Sequence, residues 1–233
     1  MIYITGDTHR DFARIYKFCE RQETSKDKDT IIILGDAGIN FYNDKKDRAF
    51  KRALSNDLSI NLFCIHGNHE KRPATISTYR EMEYRGGIAY IEPEFPNLIF
   101  AKDGEVYDFD GIKTLVIGGA YSIDKLYRIR NHLTWFPDEQ PDDIIKQRVE
   151  DKLKELDYKV DVILSHTVPI KYEPTEVFLK GVDQSKVDKS TERWLDEIKE
   201  KTDYTKWFAG HYHTEKSIDK LRIMFNDIRE FKI

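Results

Sequence analysis

Short apolar runs recur along the first third of the chain, and a glycine lies shortly after each of them. The runs at residues 2–5, 30–34 and 61–65 show almost no alternation of polar and apolar positions, which is typical of buried parallel strands. Helical patterns separate them, one starting at Asp11 with an apolar face that reaches Cys19, the other at 44–54. This order of strands and helices predicts right-handed crossovers and a doubly wound sheet.

The pattern changes after Pro73, where short strands follow one another without helices between them. The Asp110-Gly111 pair is a strong two-residue hairpin signal. We therefore expect antiparallel strands that continue into a second sheet. The predicted strands of this block lie at residues 86–91, 98–101, 105–109 and 112–118.

The last hundred residues return to alternating helices and strands. An irregular insert around residues 120–141, with two prolines, precedes them; so long a loop in a compact domain is usually functional or mobile. The tail at 217–233 alternates polar and apolar residues and predicts two antiparallel strands. Between insert and tail we predict a helix at 142–156, a strand at 160–164, a loop at 172–184, a helix starting at Ser190 or Thr191, and a strand at 205–209.

Length, composition and charge indicate a globular domain and give no support for general binding of nucleic acid. With 233 residues, 39% of them hydrophobic, the chain is long enough to bury a sizeable core, and we expect a single domain over 1–233 that includes the insert. Charged residues make up 34%, above the roughly 25% of ordinary soluble domains. The net charge of -4 gives no general attraction for nucleic acid.

Neither a leader nor a membrane span is expected, because no basic segment precedes a long apolar stretch. The two cysteines, Cys19 and Cys64, lie among apolar residues and fit buried thiols in a reducing compartment better than a disulfide. These features predict a cytoplasmic protein. No feature of the sequence specifies an oligomeric state.

Candidate metal ligands follow five of the apolar runs. Parallel strands of an α/β sheet present their active site at their carboxyl ends, so these side chains should converge. Five of the 7 histidines lie at such strand ends, whereas His66 and His132 suit structural and surface roles. The seven candidate ligands are Asp7, His9, Asp36, Asn68, His166, His211 and His213, and His69 and Glu70 follow Asn68 directly.

Each short motif is weak evidence on its own. A carboxylate after a strand is more often a helix cap or a turn residue, and paired histidines on a solvated strand are usually unremarkable. Their joint occurrence at strand ends is what indicates a site. Carboxylate, imidazole and amide ligands suit Mn²⁺, Fe²⁺ or Zn²⁺ rather than a thiolate-preferring ion. Seven ligands are too many for one tetrahedral zinc and suit two ions that share Asp36.

These motifs, in this order, resemble the calcineurin-like metallophosphoesterase family along nearly the whole chain. The resemblance implies a four-layer α/β/β/α sandwich of two mixed β-sheets flanked by helices. It implies two divalent ions, Mn²⁺ first and Fe, Zn, Ni or Co as alternatives. One ion would be bound by Asp7, His9, Asp36 and His213, and the other by Asp36, Asn68, His166 and His211.

Two positions depart from the family pattern. Arg10 stands where a glycine usually follows the Asp-x-His motif, and Ala37-Gly38-Ile39 follows Asp36 without the acidic residue often found there. The missing carboxylate is not a ligand, so the expected metal site is complete. The second departure argues against closeness to the protein-phosphatase branch of the family.

The expected reaction is hydrolysis of a phosphate ester, either a monoester or a diester. Two ions bridged by Asp36 about 3.5–4 Å apart would clamp the phosphoryl oxygens, and a bridging hydroxide would attack phosphorus in line. His69 is the candidate catalytic residue that protonates or stabilises the leaving group, with structural support of a ligand as the alternative. Arg72 is a candidate for binding phosphate oxygens through its guanidinium group.

Two other functions compete with a general phosphoesterase. A nuclease would act on nucleic-acid phosphodiesters; aromatic and basic residues of the insert could bind them, but the overall charge does not favour this partner. A catalytically idle metal-binding scaffold, as in the retromer subunit that resembles this fold, is less consistent with a complete ligand set and His69.

Overall fold

In the computed structural model, which describes residues 1–233, two β-sheets pack face to face and helices cover their outer faces. The predicted sandwich of two mixed sheets flanked by helices is confirmed. None of the helices has the length and apolar composition of a membrane-spanning segment. The strands are β1 (Ile2–Thr5), β2 (Thr30–Ile33), β3 (Asn61–Cys64), β4 (Arg80–Tyr84), β5 (Gly87–Ile91), β6 (Leu98–Ala101), β7 (Val106–Phe109), β8 (Ile112–Ile117), β9 (Val162–Ser165), β10 (Lys206–Ala209), β11 (Lys216–Ile218), β12 (Leu221–Ile223) and β13 (Ile228–Glu230).

The first sheet has seven strands in the order β13-β1-β2-β3-β6-β5-β4. Its centre, from β1 to β6, is parallel, and antiparallel strands complete both edges. The second sheet has six strands in the order β11-β12-β10-β9-β8-β7, again parallel at its centre from β12 to β8. Both sheets therefore present several parallel carboxyl ends to one edge of the molecule.

Five α-helices accompany the sheets, and the polar residues in front of two of them explain where they start. Asp44 accepts from the backbone N–H of Lys46, and Asp142 accepts from that of Ile145, so each carboxylate satisfies a free donor of a first helical turn. The helices are α1 (Ala13–Gln22), α2 (Lys45–Asp57), α3 (Lys125–Arg130), α4 (Asp143–Glu155) and α5 (Ser190–Lys201).

Three apolar clusters fill the spaces between the four layers. The central one joins the facing sides of the two sheets, for example Ile4 and Phe63 with Leu164 and Phe208. A second packs α1 and α2 against the first sheet, and a third packs α4 and α5 against the second sheet. Burial on both faces explains why β2 and β9 read as continuous apolar runs.

Strands predicted for the second sheet at 86–91 and 98–101 belong instead to the first. β6 pairs in parallel with β3, and all four of its side chains are buried, as expected for a central strand. β4 was missing from the prediction because it is an edge strand whose side chains are largely exposed and charged. The tail forms three strands rather than two, and the last of them crosses to pair with β1.

The insert around 120–141 contains one short helix, α3, and otherwise has no regular structure. Arg128 forms an ion pair with Asp124 one turn earlier, and Trp135 donates to Glu139 at 2.7 Å. No side chain of α3 is buried, so this helix lies against the surface with its apolar residues accessible.

Candidate metal centre

The loops after five parallel strands meet at one point between the two sheets. β1 leads to Asp7, β2 to Asp36, β3 to Asn68, β9 to His166 and β10 to His211. Asp7, Asp36, Asn68 and His166 are almost completely buried, whereas His9 and His213 are exposed at the mouth of the site. The structure thus brings together all seven residues that the sequence offers as ligands.

Glycines in these loops let the ligands approach one another. A Cβ atom on Gly67 would lie 2.0 Å from Oδ1 of Asp36, and one on Gly210 would lie 2.3 Å from Oδ1 of Asp7. Neither glycine has a positive φ, so the requirement at these positions is space and not backbone freedom. Any larger residue would push the carboxylates out of the cluster.

Several ligand-type residues adopt the left-handed backbone conformation that non-glycine residues rarely take. Asp36 has φ of 47°, His9 of 45°, His211 of 68° and His213 of 49°. Such strain persists only where the surroundings fix it, and it is concentrated at functional sites. Arg10, the residue in place of the usual glycine, also has a positive φ, 69°, so the loop keeps its shape without the glycine.

The outer half of the site consists of Asp7, His9 and His213. Nε2 of His213 lies 3.3 Å from Oδ2 of Asp7, and Nε2 of His9 lies 3.7 Å from the same oxygen. The three ligand atoms lie within 4.8 Å of one another, close enough to bind one ion.

The inner half of the site consists of Asp36, Asn68 and His166, with His211 beside them. Nε2 of His166 lies 3.6 Å from Oδ2 of Asp36 and 2.8 Å from Oδ1 of Asn68. The ring of His211 packs edge-on against that of His166, with centroids 5.1 Å apart. Asp36 also lies 3.9 Å from Nε2 of His9, so its carboxylate stands between the two halves.

A buried oxygen of the first ligand, Asp7, lacks any hydrogen-bond partner in the protein. Oδ2 of Asp7 is inaccessible and accepts no hydrogen bond, whereas Oδ1 of the same carboxylate accepts from the backbone N–H of His211 at 3.0 Å. A buried carboxylate oxygen without a donor is costly unless a cation neutralises it. Carboxylate, imidazole and amide groups around this atom fit a pair of divalent ions.

The two buried carboxylates attract positive charge. Burial alone would lower the pKa of His166, but the nearby Asp36 carboxylate raises it to about 9. Burial and the charge on His166 lower the pKa of His211 to about 3. Although burial opposes it, the positive charge of His166 holds the pKa of Asp36 well below its usual range. The two carboxylates therefore favour positive charge at this point of the structure.

Groups behind the ligands fix their orientation. Nδ1 of His166 is hydrogen-bonded to the carbonyl of Leu34 at 2.7 Å, which leaves Nε2 facing the site. Nδ2 of Asn68 donates to the Ser122 hydroxyl at 2.9 Å, so its Oδ1 faces the ligand cluster. Arg14 donates to the carbonyls of Gly6 and Asp7 and holds the first ligand loop. Sequence analysis missed Ser122 and Arg14; the Gly118-Gly119 pair after β8 was the one signal near Ser122.

His69 and Glu70 take different positions. His69 is half-buried and lines the cavity in front of the ligands, and its backbone N–H donates to Oδ1 of Asp36 at 2.8 Å. Glu70 points away and accepts from the backbone N–H of Ala37 at 3.2 Å; burial raises its pKa to about 8. His69 can therefore reach an ester bound in the cavity, whereas Glu70 supports the loop after Asp36 through its hydrogen bond with Ala37.

Arg72 is a correction to the sequence analysis. Its guanidinium group is buried in an ion pair with Asp103 and also donates to the carbonyl of Asp138 at 2.8 Å. It does not line the cavity at the metal ligands. Because a positively charged side chain inside the protein needs a carboxylate partner, this arginine joins loops of the fold instead of gripping substrate.

A cavity of about 630 Å³ opens in front of the ligands. Asp36, Asn68, His69, His211 and His213 form one wall. The other walls come from the insert and from the loop between β9 and α5. His132, also on the insert, is exposed and is not part of this lining.

Comparisons with known proteins bear on the family and the fold. The model of the family described as calcineurin-like phosphoesterase matches residues 1–215. A crystal structure of TT1561 from Thermus thermophilus has 15% identity and a TM-score of 0.51, with 96% of this chain and 87% of that chain covered. Phosphopantetheinyl hydrolase from Mycobacterium tuberculosis has 16% identity and a TM-score of 0.43, with the same coverage. A search of curated proteins gives no match.

Proposed function

The chain belongs to the calcineurin-like phosphoesterase family, a class of dinuclear metal-dependent enzymes that hydrolyse phosphate esters, and on that premise we propose that it is an active hydrolase whose two ions share Asp36. The observation that carries the proposal is the buried Oδ2 of Asp7, which faces His9 and His213 and has no hydrogen-bond donor. A metal-binding scaffold would keep these ligands as well, so the preference for an enzyme rests on His69, which lines the cavity in front of them.

The ligand sets that we propose are Asp7, His9, Asp36 and His213 for the outer ion, and Asp36, Asn68, His166 and His211 for the inner one. The short distances between His213 and Asp7, and between His166 and both Asp36 and Asn68, support the core of each set, and Asp7 also lies within 4.8 Å of the Asp36 and His166 ligand atoms. Mn²⁺ is the proposed metal, with Fe, Zn, Ni or Co as alternatives, because the donors are imidazole, carboxylate and amide. When bound, such ions polarise phosphoryl oxygens and lower the pKa of water.

The chain's own groups complete the proposed reaction. His69 faces the cavity beside Asn68, where its imidazole can donate a proton to the departing alkoxide or stabilise its charge. Asn68, fixed by Ser122, holds its side-chain oxygen toward the ligand cluster. The buried carboxylates and the imidazoles around them exclude bulk water from the inner half of the site.

We also propose that residues 1–233 form one domain in the cytoplasm. Support for the single domain comes from the central apolar cluster, which contains residues from Ile2 to Phe231 and from both sheets. The two free, buried cysteines support a reducing compartment. Nucleic acid is not the favoured partner, since the cavity in front of the metal ligands is lined by Asp124, Glu173 and Glu192.

Turnover of p-nitrophenyl phosphate and bis-p-nitrophenyl phosphate tests the proposal, with Mn²⁺, Fe²⁺, Zn²⁺, Ni²⁺ and Co²⁺ supplied in turn. We expect metal-dependent hydrolysis that Asp36→Asn abolishes and that the surface variant His132→Ala retains. Absence of turnover with all five metals would favour the scaffold. Salt-sensitive binding and cleavage of a short oligonucleotide, faster than either small ester, would favour the nuclease.

A further inference from the structure

The cavity beside the metal ligands is much larger than a phosphate group requires. Its volume of about 630 Å³ lies within the range of about 300–1,000 Å³ that is usual for small-molecule sites. His69 and His213 stand at one end, so a phosphoryl group placed at the ligands would leave most of the space for the rest of the ester. The residues of the remaining walls therefore indicate which alcohol part, by its polarity and charge, the cavity can bind.

Those walls are largely apolar and aromatic, and they come from two separate segments. The insert contributes Tyr121, Ile123 and Tyr127, and the loop between β9 and α5 contributes Phe178 and Leu179. The ring of Phe178 is nearly parallel to that of Tyr212, with an interplanar angle of 19° and centroids 6.2 Å apart. Since Tyr212 lies between His211 and His213, the apolar surface begins directly beside the ligands.

Apolar side chains at the rim of the cavity are unusually exposed. Tyr127 and Leu179 are each 62% exposed, and Ile123 is 43% exposed. A cluster of accessible apolar groups around the mouth of a site marks a surface that a ligand covers. Leu126 and Ile129, on the same helix as Tyr127, are also exposed.

The walls of the cavity offer no free cation to an anionic group. Asp124 is paired with Arg128 at 2.7 Å and Glu173 with Lys189 at 2.5 Å, so the one lysine of the lining is already neutralised. Glu192 is 3% exposed, and its Oε2 has no hydrogen-bond partner. A second phosphate or a carboxylate on the alcohol part would meet these groups with no free cation to neutralise it.

We propose that this enzyme acts on phosphate esters whose alcohol part is an uncharged, apolar group, held between the insert and the loop that carries Phe178 and Leu179. The inference rests on the proposed phosphoesterase function and adds the substrate class. Binding in the cavity removes apolar surface of the alcohol from water at about 0.8 kcal/mol per methylene group.

A series of n-alkyl phosphates from ethyl to hexyl tests this substrate class, because the leaving alcohols have nearly the same pKa and differ in length alone. We expect kcat/KM to rise by about fourfold per methylene where the whole group is buried, and by at least tenfold over the series. Hexyl phosphate with a terminal carboxylate should be turned over at least tenfold more slowly than hexyl phosphate. Corresponding alkyl p-nitrophenyl diesters extend the series to diesters.

Leu179→Ser is the informative variant, because this exposed loop residue can lose its apolar side chain without disturbing the core. It should lower the hexyl-to-ethyl ratio of kcat/KM by at least threefold. Ile144→Ser is the matched control: Ile144 is 71% exposed on α4, away from the cavity, and its replacement should leave the ratio unchanged.

The possible outcomes distinguish the proposed substrate class from the proposed phosphoesterase function. Turnover of p-nitrophenyl phosphate with a flat or falling alkyl series in both monoesters and diesters would overturn the substrate class while the phosphoesterase function stands. An unchanged ratio in Leu179→Ser, or equal turnover of the carboxylated ester, would overturn it as well. Absence of turnover on every ester would overturn both proposals.

Discussion

Nε2 of His9 and Nε2 of His213 lie 2.8 Å apart, although 204 residues separate the two histidines along the chain. Both atoms also approach Oδ2 of Asp7, an oxygen that has no hydrogen-bond donor of its own. Three ligand-type atoms from the two ends of the sequence therefore surround one point. The most economical explanation of such convergence is a shared cation.

Removing one of these imidazoles should release one ion. We expect wild-type protein to retain about two divalent ions per chain after dialysis, and His213→Ala to retain about one, because the inner ligands Asn68 and His166 are untouched. Elemental analysis by mass spectrometry measures the metal content. His132→Ala, which removes an exposed histidine of the insert, should keep both ions. Equal metal content in all three proteins would contradict this ligand assignment.

Sequence analysis predicted most of this site because its ligands follow short, fully apolar strands, whose ends are readable without tertiary information. It did not identify Ser122, since a serine in an irregular insert carries no local signal of the amide that it orients. It also assigned Arg72 to substrate, because proximity to ligands in sequence says nothing of a partner such as Asp103, which comes from a different strand connection.

In the fold, too, local patterns predicted some elements, and elements that depend on long-range contacts were missed. Central strands such as β3 and β9 were predictable from continuous apolar runs, whereas β4 was not, because an exposed edge strand has no buried face to create a pattern. The sequence pattern also did not show which of the two sheets each strand joins. Whether β6 joins the first or the second sheet depends on long-range pairing with β3, which no local pattern encodes.

Replacement of Gly67 by alanine should damage both stability and activity. The added methyl group would lie 2.0 Å from Oδ1 of Asp36 and 2.1 Å from its backbone nitrogen, so the shared ligand must move. We expect a loss of at least about 3 kcal/mol in the free energy of unfolding, measured by urea denaturation, together with loss of metal-dependent turnover.

Gly86→Ala is the control for the glycine prediction. Gly86 has a φ of +81° but nothing within 4 Å of the added Cβ, so alanine there should cost about 1–2 kcal/mol from backbone strain alone. Its turnover per folded molecule should equal that of the wild type. If Gly67→Ala is as stable as Gly86→Ala, the Asp36 loop can move aside for the added methyl group at little cost in free energy.

Arg72→Ala should unfold the protein more readily without changing how the folded enzyme binds substrate. Removal of the guanidinium leaves the buried Asp103 carboxylate without its cation, a loss of about 3–5 kcal/mol. Urea denaturation measures that loss, and KM for p-nitrophenyl phosphate should stay within about twofold. Arg80→Ala, which removes an exposed arginine of β4, should alter neither quantity. A large rise in KM at unchanged stability would restore Arg72 to substrate binding.

His69→Ala should keep both ions and lose rate. Its imidazole lines the cavity without being needed by either ligand cluster, and general acid catalysis contributes about 10²–10⁴ in rate. The loss should be greater for alkyl phosphates than for p-nitrophenyl phosphate, whose leaving group departs without protonation. Metal content and kcat for the two ester types are the measurements. Equal losses on both esters would remove the leaving-group role and leave support of the ligands.

Glu192 should make the folded protein less stable as the pH rises from 5 to 8. Burial raises the pKa of this carboxyl to about 7 from its ordinary value of 4.5. The folded chain thus holds the proton more tightly than the unfolded chain, and the resulting stabilisation is complete below pH 4.5 and lost as the pH passes through about 7. Its upper limit is roughly 3 kcal/mol. Glu192→Gln cannot ionise, so urea denaturation should show a smaller decline of its unfolding free energy over this pH range. Glu197→Gln, an exposed change on the same helix, should show the same pH dependence of the unfolding free energy as the wild type. If Glu192→Gln shows that same pH dependence as well, Glu192 is not an ionisable group buried by folding.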